Sequence, residues 1–150
     1  LITRLPTRID GLALLAPAKH GDERGFFMET FRADGWSAEG VATEFVQDNH
    51  SRSRRGTLRG MHFQTSPGQG KLVRVARGRV LDVVVDVRRG SATFGEWESF
   101  ELDDEGALQL WIPVGFAHGF CVLSDVADFV YKVTSYYDGA TESGFSFADP

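Results

Sequence analysis

Apolar and polar residues alternate along much of this chain, and a period of two marks half-buried β-strands. The clearest run is 80–87, Val-Leu-Asp-Val-Val-Val-Asp-Val. It places Leu81, Val83, Val85 and Val87 on one face and a mixed set, Val80, Asp82, Val84 and Asp86, on the other. A short strand at Lys71–Ala76 precedes it, joined through Arg77-Gly78, a pair suited to a tight hairpin turn. Further β-rich runs occupy 25–31, 43–49, 57–63, 96–102, 108–112, 117–123 and 127–135. Turn residues punctuate them at Pro67-Gly68, Arg89-Gly90, Asp103-Asp104 and Pro113 with Gly115. The only helix expected is a short one around Asp34–Glu39. Many short strands at roughly regular spacing predict an all-β fold, a sandwich or small barrel with the jelly roll as its leading version. No internal repeat or linker divides residues 1–150, so a single domain is expected.

Composition narrows the picture. A chain of 150 residues can build a proper core without staples. One cysteine, Cys121, excludes an intramolecular disulfide, and its neighbours Phe120, Val122 and Leu123 suggest inert packing. There is no secretory signal pattern, and no apolar run approaches the ~20 residues that span a bilayer. A cytoplasmic protein without a membrane partner is the expectation. A formal net charge of −5 argues against general nucleic-acid binding. Yet Arg52, Arg54, Arg55 and Arg59 fall within eight residues, a local basic patch that fits a small anionic ligand better than a polymer. Ordinary solvated surface charge also accounts for Arg52, Arg54 and Arg55.

Residues 47–64 concentrate the candidate chemistry: two histidines, four arginines, three amide side chains and two glycines in 18 positions. Within them His62 stands among apolar residues close to Arg59. Histidine changes charge near neutral pH, so such a residue beside an anionic substrate is placed to move a proton. A core histidine bonded to backbone fits the same residues. More telling is the wider set of polar groups within or beside apolar strands: Arg24, Glu29, Gln47, Asn49, Arg59, His62, Lys71, His118 and Tyr131. Together they predict a wet, charged interior of the kind a ligand-holding barrel has. Arg59 and His62 are three apart, which an ideal strand sends to opposite faces; Gly60 is the expected bulge that reunites them.

Spacing weighs against several chemistries. Gly68-Gln69-Gly70-Lys71 resembles part of a phosphate loop, but Thr65 and Leu72 stand where that motif needs Gly and Ser or Thr. His62 lacks the His-x-His partner and nearby carboxylate of a metal-binding cupin, so no metal is expected. No nucleophile elbow and no nucleotide-binding glycine loop are present, and no cofactor is implied. Acid–base chemistry beside a carbonyl remains. A histidine base, a cation for the enolate and a second weak acid on the far side would invert a carbon. Tyr131, on the Phe129 face of its strand, is the candidate acid; a tyrosine with its hydroxyl at the rim is the competing reading.

Gly21-Asp22-Glu23-Arg24-Gly25-Phe26-Phe27, the Gln47–Gln64 stretch, Gly70-Lys71-Leu72-Val73-Arg74, residues Trp111 to Phe120, Tyr131-Lys132, Tyr136-Tyr137 and the closing Asp149-Pro150 follow one another in order. From about residue 10 onward they resemble the dTDP-4-dehydrorhamnose 3,5-epimerase family. The resemblance implies a metal-free, cupin-type jelly roll, a homodimer, and dTDP-4-keto-6-deoxyglucose as substrate. It implies His62 as the base and Tyr131 as the acid on the other face, with Lys71 neutralising the enolate oxygen. Arg59 and His118 would lie on substrate and phosphate. Arg24, Phe27, Glu29, Gln47, Asp48, Asn49 and Glu142 match positions that hold the nucleotide sugar, and Tyr137 one that stacks on thymine. An exposed N-terminal strand edge would be covered by the second subunit. The family's base is oriented by an aspartate in a C-terminal segment beyond Pro150; within these residues Asp82 is the expected substitute. Phe147 stands where many members have tryptophan, with little consequence expected. Epimerisation at carbon 3 or carbon 5 alone, or nucleotide-sugar binding without turnover, are the alternatives.

Overall fold

The computed structural model describes residues 2–149. Its elements in chain order are β1 (Ile2–Leu5), β2 (Ala13–Pro17), β3 (Lys19–Asp22), β4 (Gly25–Met28), α1 (Ala33–Ser37), β5 (Gln47–Arg54), β6 (Leu58–Gln64) and β7 (Lys71–Arg77). There follow β8 (Arg79–Asp86), β9 (Trp97–Asp103), β10 (Gln109–Ile112), β11 (Phe116–Val122), β12 (Val126–Val133) and β13 (Glu142–Gly144). A six-stranded sheet, β1-β2-β10-β7-β12-β5, faces a five-stranded sheet, β13-β6-β11-β8-β9. Every pairing is antiparallel, and β3–β4 forms a separate hairpin. This is the all-β jelly roll that the alternation predicts, of the cupin type that the family resemblance implies.

The main core lies between the sheets. Val73 and Val75 from β7, Leu110 and Ile112 from β10, and Ala127 and Phe129 from β12 meet Val80, Val84, Phe100, Leu102, Phe116, Phe120 and Val122. A smaller cluster covers part of the outer face of the six-stranded sheet. There Trp36 of α1 packs with Leu15, Leu72 and Trp111, and its Nε1–H donates to buried Gln109 Oε1 at 2.9 Å. That contact anchors a helix of five residues, too short to hold itself.

Two strands depart from simple hydrophobic logic. On β8 the mixed face is the one turned inward: Val80, Asp82, Val84 and Asp86 are all fully buried. The two aspartates are admissible there because each is bonded, Asp82 to His118 and Asp86 to Arg88, Ser91 and Thr93. Burial alone would raise the Asp86 carboxyl; the bonds from Arg88, Thr93 and Ser91 override it and hold Asp86 well below the usual range.

The second departure is β5, expected at 43–49 and found at Gln47–Arg54. Residues 47–54 contain no apolar side chain, so no hydrophobic alternation marks them. Pairing along all of β12, from Val133↔Gln47 to Val126↔Arg54, makes the strand. Its more sheltered side carries Gln47, Asn49, Ser51 and Ser53; its exposed side carries Asp48, His50, Arg52 and Arg54.

On that exposed side Arg52 grips Asp128 of β12 with two bonds, 2.6 and 3.0 Å, and His50 approaches at 3.5 Å. The Arg52 guanidinium lowers the Asp128 carboxyl to about 2 against an ordinary 3.8. A carboxyl depressed on folding stabilises the protein above its unfolded value, and the gain disappears as pH falls through the folded one. Asp128→Asn is therefore expected to lower the urea midpoint at pH 7. Its difference from wild type should vanish between about pH 4 and pH 2. A difference that persists unchanged at pH 2 would place the effect in packing.

Candidate active site

A polar cavity of about 460 Å³ lies between the sheets. Arg59, Gly60 and His62 enter it from β6, His118 and Phe120 from β11, Lys71 from β7, Ser51 from β5, and Phe129 and Tyr131 from β12. The five-stranded sheet thus supplies both imidazoles, and the six-stranded sheet the ammonium and the phenol.

Arg59 and His62 share the cavity because β6 carries a bulge. Its register against β11 runs His62↔His118 and then Arg59↔Phe120, three residues opposite two. Gly60 sits inside the bulge with φ +111°, and a Cβ there would lie 2.5 Å from the His118 carbonyl oxygen. Only glycine suits that backbone and that approach. The arginine is held in turn by Ser53, whose Oγ accepts from Arg59 Nε at 3.0 Å.

The floor is aromatic. Phe120 and Phe129 stack at 4.1 Å, and the His118 and Tyr131 rings each lie 5.8 Å from that of Phe129. Lys71 Nζ stands 5.9 Å from the centre of the Tyr131 ring. Burial lowers the Lys71 ammonium, with Asp82 and Glu142 pulling the other way. His62 is more open than His118: its side chain is 55% exposed against 6%. The carboxylate closest to His62 among the described ion pairs is Glu142, at 3.9 Å from Nε2.

Asp82 corrects the expectation placed on it. Its Oδ2 lies 2.7 Å from Nε2 of His118, so it orients His118 and not His62. The reason is strand order: β8 pairs with β11, whereas β6 lies on the far side of β11. Phe147, in the segment after β13, covers Gly119 on β11; a Cβ at Gly119 would meet its ring at 2.8 Å.

The nucleotide-side candidates divide into two groups. Gln47, Asn49, Tyr137 and Glu142 gather near one another: Gln47 Nε2 donates to Asn49 Oδ1 at 2.8 Å, and Tyr137 N donates to Gln47 Oε1 at 3.3 Å. Glu142 raises the Tyr137 phenol from beside it. Asp48, by contrast, points to the outer face of β5, where it takes the Lys132 ammonium at 3.0 Å. Arg24, Phe27 and Glu29 are also absent from the cavity wall. Arg24 is paired with Asp22 on the β3–β4 hairpin, Phe27 is 70% exposed, and Glu29 faces Arg32. A single chain does not bring these four side chains to His62. Ser51 and Ser53, absent from the sequence-based candidates, belong to the cavity or its support. Counting by twos from Gln47 and Asn49 is the signal that finds them.

A cupin-type sandwich that brings an imidazole from one sheet and a phenol and a buried ammonium from the other to one cavity holds the groups that acid–base chemistry uses. Comparison with known proteins narrows this further. Residues 6–150 match the family described as dTDP-4-dehydrorhamnose 3,5-epimerase. The dTDP-4-dehydrorhamnose 3,5-epimerase of Neisseria gonorrhoeae is 54% identical over 147 residues, covering 97% of this chain and 44% of that protein. The Shigella flexneri enzyme of the same name is 52% identical, covering 97% and 81%. The crystal structure of a Legionella pneumophila dTDP-6-deoxy-D-glucose-3,5-epimerase in complex with dTDP-4-keto-L-rhamnose superposes with a TM-score of 0.97. It is 50% identical, covering all of this chain and 80% of that one. The chain belongs to the dTDP-4-dehydrorhamnose 3,5-epimerase family. It spans less than half of the Neisseria relative and about four fifths of the Shigella one.

Proposed function

We propose that this protein epimerises a dTDP-4-keto-6-deoxyhexose at carbons 3 and 5, by proton exchange on either side of the 4-keto group, in deoxysugar synthesis of the dTDP-rhamnose type. The observation that carries the reading is the placement of His62 and Tyr131 on opposite sheets across one cavity. A base on one face and an acid on the other is what inversion requires. His62 removes the proton next to the ketone. The developing enolate oxygen is met by Lys71, a charge whose effect is strongest in a poorly solvated site. Tyr131 gives its phenolic proton to the carbon from the far side; His62 then passes its proton to solvent and Tyr131 takes one back from it. Arg59 and His118 lie on the substrate side of the cavity and suit anionic oxygens. Gln47, Asn49 and Glu142 receive the nucleotide sugar, and the Tyr137 ring offers a face for thymine.

The test is proton NMR of dTDP-4-keto-6-deoxyglucose with the protein in deuterated water, following carbons 3 and 5 separately. Deuterium at both, with a rhamnose-configured product trapped by a reductase, supports the reading. Exchange at one carbon selects the narrower epimerase; binding of dTDP without exchange leaves a binding module.

The same proposal includes a homodimer. The β3–β4 hairpin holds Phe26 and Phe27 in solvent, 62% and 70% exposed, with Arg24 beside them. A second copy that takes this hairpin would bury both rings and bring Arg24, Phe27 and Glu29 to its own cavity. Light scattering should then give twice the chain mass. Mixing inactive His62→Ala with an inactive Arg24→Ala/Phe27→Ala chain should restore activity to about a quarter of wild type, because random pairing leaves one intact composite site in half of the dimers. Mixtures that stay inactive would show each site to be complete in one chain.

A further inference from the structure

Beneath the cavity lies one ionisable group that the steps above do not use. Asp82, fully buried on β8, accepts from His118 Nε2 through Oδ2, and its Oδ1 has no hydrogen-bond partner among the described residues. A buried carboxylate with a bare oxygen is costly: its neighbours along the same strand face are Val80 and Val84, and Asp86 at the end of that face has its own bonds to Arg88, Ser91 and Thr93. The cost is offset by what stands above it. Two cavity groups face Asp82, the His118 ring from β11 and the Lys71 ammonium from β7; burial raises its carboxyl, and both groups draw it back down. The other titratable groups around the same cavity are His62 and Arg59 from β6 and Tyr131 from β12, with Glu142 of β13 acting on Lys71.

The ring of His118 is the means of transmission. With Nε2 committed to Asp82, Nδ1 is the nitrogen left over; that Nε2 contact is the one side-chain hydrogen bond of His118 among the described residues, and His118 lines the cavity. A carboxylate on one ring nitrogen fixes the tautomer and steadies the imidazolium, whose other N–H is then a donor. We propose that Asp82 is a positioning residue that locks the His118 ring through Nε2, so that Nδ1–H is held toward the cavity as a cationic donor to an anionic oxygen of the substrate. Asp82 touches no substrate and acts through His118. The inference rests on the epimerase reading for its effect on turnover, but not for its effect on the ring.

Asp82→Asn in protein labelled with 15N-histidine tests it. Wild type should show an exchange-protected, downfield ring proton on His118 Nε2, and a second protected proton on Nδ1 once dTDP is added. In Asp82→Asn the first should move upfield and the second should be lost. Turnover should fall about 10–100-fold, the range seen when partners that orient metal-ligating histidines are removed, and dTDP affinity should fall about tenfold with the lost charge-assisted hydrogen bond. Asp82→Asn/His118→Gln should be no slower than His118→Gln alone, because one residue acts through the other. Wild-type turnover in Asp82→Asn, an unchanged Nε2 proton, or additive losses in the double variant would each overturn the proposal. If Asp82→Asn does not fold, the wild-type spectra decide: an Nδ1 proton that never becomes protected on dTDP binding overturns it as well. A wild type that exchanges no substrate protons would sink the epimerase reading and leave these spectra to settle the role of Asp82.

Discussion

His62→Asn is expected to reduce deuterium exchange at both carbons flanking the ketone by about a thousandfold, within the range that loss of a general base imposes. Asparagine keeps the size and some of the hydrogen bonding of imidazole but cannot take a proton. His62 stands on β6 at the open side of the cavity, 55% exposed, so the exchange removes no core contact. Gln47, Asn49, Tyr137 and Arg59 keep their bonds, and dTDP affinity should stay within a few-fold of wild type. Isothermal titration with dTDP and exchange NMR on the same preparation separate the two effects. Retained exchange at either carbon would remove His62 from the role of base there and point to another group in the cavity wall.

Tyr131→Phe is expected to split exchange from inversion. The substitution leaves the ring against Phe129 and beside Lys71 and removes only the hydroxyl. In the proposed mechanism abstraction by His62 does not need that hydroxyl, so deuterium should still enter the substrate. Reprotonation from the far face does need it, and inverted product should fall by about a hundredfold or more. The measurement is the ratio of deuterated substrate of unchanged configuration to epimerised product. Equal loss of both would mean that Tyr131 only packs against Phe129. The distinction is sharp because the two residues belong to different sheets: no shared strand lets one substitution displace the other.

Much of this was legible in residue order. Alternation in 80–87 and the turn at Arg77-Gly78 foretold β8 and the hairpin to β7, because a period of two and a left-handed glycine (φ +90°) are local properties. Gly60 was readable as a bulge for the same reason. Strand β5 was not, since its polar residues are held by β12 and not by their own pattern. The short strands β1, β2, β3 and β13 also went unread; three to five residues give alternation too little length to register.

The site divides along the same line. Sequence alone singled out His62, Lys71, His118 and Tyr131 as candidates, because imidazole, ammonium and phenol groups embedded in apolar runs must be housed somewhere polar, and all four line one cavity. It also carried the resemblance to the family. What tertiary structure alone decided is who meets whom. Strand order set Asp82 against His118 instead of His62, sent Asp48 to the outer face with Lys132, and left Arg24 and Phe27 out on a hairpin away from the cavity. Strand order and register are set by how two whole sheets bury their inner faces together, a long-range balance that no short stretch of residues contains.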